Sequence, residues 1–136
     1  MKLNKIVETC IYTSNLEEMK NFYINYLGLD LVSEEKGRHV FLKAGKSMLL
    51  IFNPENTLNN SNSIFPIHGA MTTPSILHFA FEIKKDDYEN WKNLLQMKKI
   101  SIDKELEMRN SKSIYFHDPS GNIVELITDN FWPVEG

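Results

Sequence analysis

The chain has 136 residues, 42% of them hydrophobic and 24% charged, with a formal net charge of -3. That length suits one ordinary globular domain, long enough for a real core. No basic run exceeds a pair such as Lys98-Lys99, so nothing calls for nucleic acid. The opening Met1-Lys2-Leu3-Asn4-Lys5 leads into no apolar stretch of signal-peptide or membrane-span length, and a cytoplasmic address is expected. One cysteine, Cys10, rules out an internal disulfide and fits a reducing compartment.

Ile6 to Thr13 is rich in β-branched residues and reads as a strand, with Ile6, Glu8, Cys10 and Tyr12 on one face. Ser14-Asn15-Leu16-Glu17 has the form of a capping box. Leu16, Met19, Phe22, Tyr23, Tyr26 and Leu27 then repeat at helical spacing up to a terminating Gly28. Leu29 to Val32, Arg38 to Lys43 and Ser47 to Phe52 read as three strands with tight connections. The first module, 4–53, is therefore β, α, β, β, β.

From 54 to 74 the composition shifts to Asn, Ser, Pro and Thr, which predicts a long loop carrying Ile64-Phe65-Pro66-Ile67-His68. The pattern then starts again over 75–130. Ile76 to Ile83 is a strand with His78, Ala80 and Glu82 on one face, and Asp86-Asp87-Tyr88-Glu89 opens a helix carrying Trp91, Leu94 and Leu95. Ile100-Ser101-Ile102, Ser113 to His117 and Ile123 to Thr128 supply three more strands. Between the last two, Asp118-Pro119-Ser120-Gly121-Asn122 is a tight turn, because proline presets φ and glycine takes the left-handed position. Residues 131–136 form a tail in which Phe131-Trp132-Pro133 reads as a packing or dimer contact.

Within this order three polar residues stand in the middle of apolar strands: Glu8, His78 and Glu125. Aligning the two opening strands puts Glu8 opposite His78, and aligning the closing strands puts Leu50 opposite Glu125. A buried glutamate needs a cation or a proton. Imidazole with two carboxylates suits a divalent ion such as Zn²⁺, Mn²⁺, Fe²⁺, Co²⁺ or Ni²⁺ and leaves coordination positions open for substrate. Arg38, Arg109 and Tyr115 are candidates for binding an anionic or carbonyl group, arginine through its bidentate fork and tyrosine through a directed hydroxyl.

The opening strand with Ser14-Asn15-Leu16-Glu17 and Phe22-Tyr23-Ile24-Asn25-Tyr26-Leu27-Gly28-Leu29, the mid-chain Leu77-His78-Phe79-Ala80-Phe81 and the closing Asp118-Pro119-Ser120-Gly121-Asn122-Ile123-Val124-Glu125-Leu126 together resemble the vicinal oxygen chelate superfamily. That superfamily includes glyoxalase I, extradiol dioxygenases and the fosfomycin and bleomycin resistance proteins. The resemblance implies an α+β fold in which two tandem βαβββ modules form a curved mixed sheet around a cleft. It implies metal ligands at Glu8, where histidine is commoner, at His78 and at Glu125, with Glu125 also available as the base. It further implies a homodimer, since in some members the site is completed across subunits. Glyoxalase I has a fourth ligand, a glutamate on the strand that here reads Met48-Leu49-Leu50-Ile51-Phe52, which offers no acid. Two functions stay open on this reading. One is a metal-dependent lyase, isomerase or dioxygenase acting on a small substrate with adjacent oxygens, with His117 or His68 as an acid-base partner in the dioxygenase case. The other is a metal-free protein that sequesters a small molecule in a cleft lined by aromatics such as Tyr12, Phe41, Tyr115 and Trp132.

Overall fold

The first strand begins at the residue the site reading singles out, as β1 is Glu8–Tyr12. The computed structural model describes residues 1–59 and 76–133, without the side chains of 58 and 59. Helix α1 (Leu16–Asn21) is capped one residue later than the sequence indicated. Asn15 Oδ1 accepts the Glu18 backbone N–H at 3.1 Å, the N-cap bond, and Asn15 Nδ2 donates to the Glu18 carboxylate at 3.3 Å, so the cap falls on Asn15 and not on Ser14. The shift has a local cause, because the Thr13 hydroxyl accepts the Asn15 N–H at 3.0 Å and holds that residue at the cap. The helix continues as a π-helical turn over Phe22–Tyr26 and stops at Gly28, whose φ of +78° makes an αL C-cap. Gly28 N donates to Ile24 O at 3.1 Å, the bond of that cap, and Leu29 N donates to Tyr23 O at 3.0 Å across the widened turn.

Three strands follow, β2 (Asp30–Glu35), β3 (His39–Ala44) and β4 (Ser47–Phe52), and the sheet order is β1-β4-β3-β2. The second unit repeats it with β5 (His78–Ile83), α3 (Tyr88–Met97) behind a 3-10 turn at Lys85–Asp87, β6 (Lys104–Met108), β7 (Ser111–His117) and β8 (Ile123–Thr128), in the order β5-β8-β7-β6. In both sheets the first strand runs parallel to the last and the other pairs are antiparallel. Each unit is compact in itself, Met1–Ser75 and Ile76–Gly136. The predicted βαβββ repeat is present, and its register agrees with the sequence alignment of the halves. Cys10 pairs with Leu50 as Ala80 pairs with Glu125, so Leu50 and Glu125 hold equivalent positions.

Alternation separates two faces on each sheet. In the first unit Ile11, Val40, Leu42, Leu49 and Ile51 are buried, and α1 brings Met19, and the π-helical turn after it Phe22 and Tyr23, to the core. In the second, Ile114, Phe116, Val124 and Leu126 are buried together with Leu95 of α3. Each such side chain contributes roughly 1.5–3 kcal/mol by leaving water. The opposite face of the second sheet is left for polar residues. Tyr88 of α3 donates to the Glu105 carboxylate of β6 at 2.7 Å, and Lys92 reaches it at 3.2 Å, which ties that helix to the sheet edge.

Two expected elements differ. The segment expected to be loop from residue 54 opens with a short helix, α2 (Pro54–Asn59), and the rest of the expected loop, His68 included, lies outside the described residues. Ile100-Ser101-Ile102 is not a strand, and pairing starts instead where Asp103 N donates to Tyr115 O at 2.8 Å. The hairpin between β6 and β7 turns at Arg109 and Asn110, both with positive φ, and this two-residue turn sets Met108 against Ser111. Among the described residues no helix is long and apolar enough to cross a membrane.

The turn before β8 is a closed hydrogen-bonded unit. Asp118 is buried, and its carboxylate accepts the backbone N–H groups of Ser120 at 2.9 Å and Asn122 at 3.0 Å and the Asn122 side chain at 2.8 Å. Asn122 Oδ1 in turn accepts the Leu77 N–H at 3.3 Å, so the turn also holds the start of β5. In the first unit Arg38 and His39 are both buried, with Arg38 Nη1 donating to His39 Nδ1 at 2.7 Å and the imidazole stacked on Phe41 at 4.1 Å. Burial, and then the Arg38 charge, hold His39 below the ordinary histidine range.

Two outcomes are expected from these arrangements. Asp118→Ala strands three donors, two of them buried, and should lower unfolding free energy by roughly 2–4 kcal/mol in urea titrations, against near-neutral Ser120→Ala. His39 resists in the native state a proton that the unfolded chain accepts, so stability should fall as pH drops through the ordinary histidine range. In His39→Gln, which keeps an acceptor for Arg38 and does not titrate, that part of the slope between pH 7 and 5 should vanish.

Candidate functional site

The parallel ladder between β5 and β8 does what neither strand does alone. It sets His78 against Ile123 and Ala80 against Glu125, so that His78 and Glu125 sit diagonally on one face. Their side chains meet, with His78 Nε2 2.9 Å from Glu125 Oε1. Glu125 is 6% exposed, yet it is well partnered. The other carboxylate oxygen accepts the Ser113 hydroxyl at 2.8 Å. Tyr115, directly across the ladder from Glu125, has its phenol pushed up by burial, by hydrogen bonding to Glu125 and by that carboxylate's charge. Its hydroxyl therefore keeps its proton.

These residues line a cavity of about 230 Å³, whose other walls are Leu106 and Met108 of β6, Ile127 of β8, and Phe131 and Trp132 after the last strand. The side chains of the half-site differ in freedom. Glu125 is held inside by two neighbouring strands, whereas the His78 side chain is 51% exposed and held on one side by its bond to Glu125.

Glu8 occupies in the first unit the place that His78 has in the second, the first residue of the strand that runs parallel to the last. It is exposed, and burial, with the Glu8 charge added to it, pushes the Cys10 thiol up. Within neither unit do three His, Cys, Asp or Glu side chains gather, among the described residues. Arg38 belongs to the first unit and is buried against His39 and Glu35. Arg109 stands at the β6–β7 hairpin with its guanidinium 5.7 Å from the Phe131 ring centre. His117 Nδ1 lies 2.5 Å from Asp103 Oδ2.

A metal fit can be tested on the His78 and Glu125 atoms. An ion bonded to an imidazole nitrogen and a carboxylate oxygen at about 2.0–2.2 Å holds the two donors roughly 3–3.5 Å apart. The observed 2.9 Å is a direct hydrogen bond, slightly shorter than that spacing, so the half-exposed imidazole would have to draw back by a few tenths of an ångström to share an ion with Glu125, while Ser113 on the distal carboxylate oxygen is the kind of partner that aims a ligating carboxylate. Ser113 was missed in the sequence. Its signal was present, because β7 alternates Ser113, Tyr115 and His117 on one face, but only the antiparallel register shows that this face is the one Glu125 shares.

The comparisons agree with this architecture. Residues 5–126 match the family model described as Glyoxalase/Bleomycin resistance protein/Dioxygenase superfamily. A metallothiol transferase FosB from Staphylococcus haemolyticus is 31% identical over 117 residues, 85% of this chain and 76% of that protein. A crystal structure of lactoylglutathione lyase from Agrobacterium tumefaciens aligns with a TM-score of 0.87 at 32% identity, over 98% of this chain and 100% of that one. A glyoxalase/bleomycin resistance protein/dioxygenase from Nocardioides shares the fold at 18% identity, with a TM-score of 0.73 over 100% of this chain and 91% of that one. With its tandem βαβββ units, its His78 and Glu125 pair and a family match over nearly its whole length, the chain belongs to the glyoxalase/bleomycin resistance protein/dioxygenase superfamily.

Proposed function

We propose that this protein is a divalent-metal-dependent enzyme that binds a small substrate through adjacent oxygens and carries out lyase or group-transfer chemistry. The observation that carries the reading is the His78 and Glu125 pair, seated on neighbouring strands and facing a cavity. Glu8, equivalent to His78 in the repeat, is the proposed third ligand. Relatives named a metallothiol transferase and a lactoylglutathione lyase favour transfer or lyase chemistry over ring cleavage. Leu50, buried at the position equivalent to Glu125, leaves the first unit without an acid there and argues against a four-ligand glyoxalase I site.

The chain's own residues divide the work. Ser113 holds one oxygen of Glu125 and leaves the other directed at His78 and the cavity. Tyr115 keeps its proton and can donate to a substrate oxygen or, through Glu125, stabilise a carboxylate that accepts a substrate proton. A bound divalent ion would supply the positive charge that stabilises an oxyanion on the chelating substrate. A homodimer is part of the same proposal.

A metal-free binding protein is the second reading, favoured by one observation: both Glu125 oxygens already have protein partners. Metal analysis by mass spectrometry on untagged protein separates the two. The enzyme reading expects about one transition-metal ion per chain. His78→Ala and Glu125→Gln should lose it, and Glu8→Gln should weaken it. Wild-type protein that stays metal-free after soaking with Zn²⁺, Mn²⁺, Fe²⁺ and Ni²⁺ would sink the enzyme reading. Ser113→Ala should reduce metal affinity by about 10- to 100-fold in competition with a chelating dye, while the fold is retained by circular dichroism.

A further inference from the structure

The cavity beside Glu125 has a polar wall and an apolar one, and the apolar wall is built from segments that the rest of the site does not need. After β8 the chain reverses at Asn130, whose φ is +67°. Phe131 and Trp132 then pack edge to face, ring centres 4.8 Å apart at 80°. Arg109, from the β6–β7 hairpin, lies over the Phe131 ring, and the adjacent Met108 joins both aromatics in lining the cavity. An arginine over a ring holds it in place by cation–π attraction, so Phe131 is a braced support for Trp132. Trp132 is 63% exposed and Met108 53%, large apolar surface displayed at a cavity mouth instead of being folded into the core. Placed together on the lining of a cavity, such surface offers an apolar body a wall to pack against.

The cavity's chemistry is otherwise restrictive. Among the described residues that line it there is no Lys or Arg, so no second anionic group of a ligand is met by a fixed cation. Its volume of about 230 Å³ is below the ~300–1,000 Å³ of drug-sized sites and suits a molecule of one ring.

Resting on the metal-site reading above, we propose that Met108, Phe131 and Trp132 make this a site for small molecules with an aromatic or similarly flat apolar body, carried on an oxygen-bearing head that sits at His78 and Glu125. Trp132 is then the residue that sets specificity, acting on the body of the ligand and not on its head.

Mandelate and lactate carry the same α-hydroxy-acid head and differ only in phenyl against methyl, so their ratio reads the body alone. Titration calorimetry on the full chain, with Zn²⁺ and again in EDTA, should give mandelate an affinity at least about tenfold above lactate, the worth of one buried ring. Trp132→Ala should bring the two within about threefold while changing lactate less than twofold, and Met108→Ala should move the ratio in the same direction. Equal affinities in the wild type, no mandelate binding at millimolar concentration, or a preference that survives Trp132→Ala would each overturn the proposal. A Trp132-dependent preference that is the same in Zn²⁺ and EDTA would uphold it and overturn the metal-site reading instead.

Discussion

The buried carboxylate of Asp118 is the constraint on which the second unit depends. It gathers three donors from within its own turn, and through Asn122 the turn reaches across to Leu77 at the start of β5. That one unit therefore sets three strand ends at once, those of β7, β8 and β5. Because a slip of one residue would send every side chain to the opposite face, the same bonds decide that Glu125 faces Tyr115 and Ser113 and that His78 reaches it. The chemistry of the site is downstream of a turn.

The two halves show what a repeat conserves and what it releases. Both keep the helix-facing apolar rows and the parallel pairing of first and last strands. On the other face they part company. At equivalent positions the first unit has Leu50 and Phe41 where the second has Glu125 and Tyr115, and His39 stacked on Phe41 where the second has Ser113. Packing against a helix restricts one face of a sheet to close-fitting apolar side chains, whereas the other face is bound only by what it must touch. The acid stands in one half and its equivalent in the other is a core leucine, an asymmetry compatible with either half folding as it does.

Glu125 also illustrates how a buried charge is made tolerable. A serine hydroxyl and an imidazole each take one oxygen, and a tyrosine stands across the ladder. Those partners remove most of the cost of leaving water while keeping the carboxylate aimed at the cavity.

Local chemistry was readable without coordinates. The order of strands and helices, the Gly28 stop, the proline-glycine turn at 118–122 and the pairing of His78 with Glu125 as candidates all follow from periodicity, turn residues and the oddity of a charge on an apolar strand. Where two local signals competed, the wrong one was read: Ser14 for Asn15 at the cap, and Ile100-Ser101-Ile102 for Lys104–Met108 as the sheet edge, since an exposed edge strand carries little apolar pattern. Ser113 behind Glu125, Arg109 over Phe131 and Met108 at the cavity were decided by the tertiary structure alone. The physical reason is that periodicity acts over a few residues, while these contacts join residues that only ladder register and hairpin return bring together.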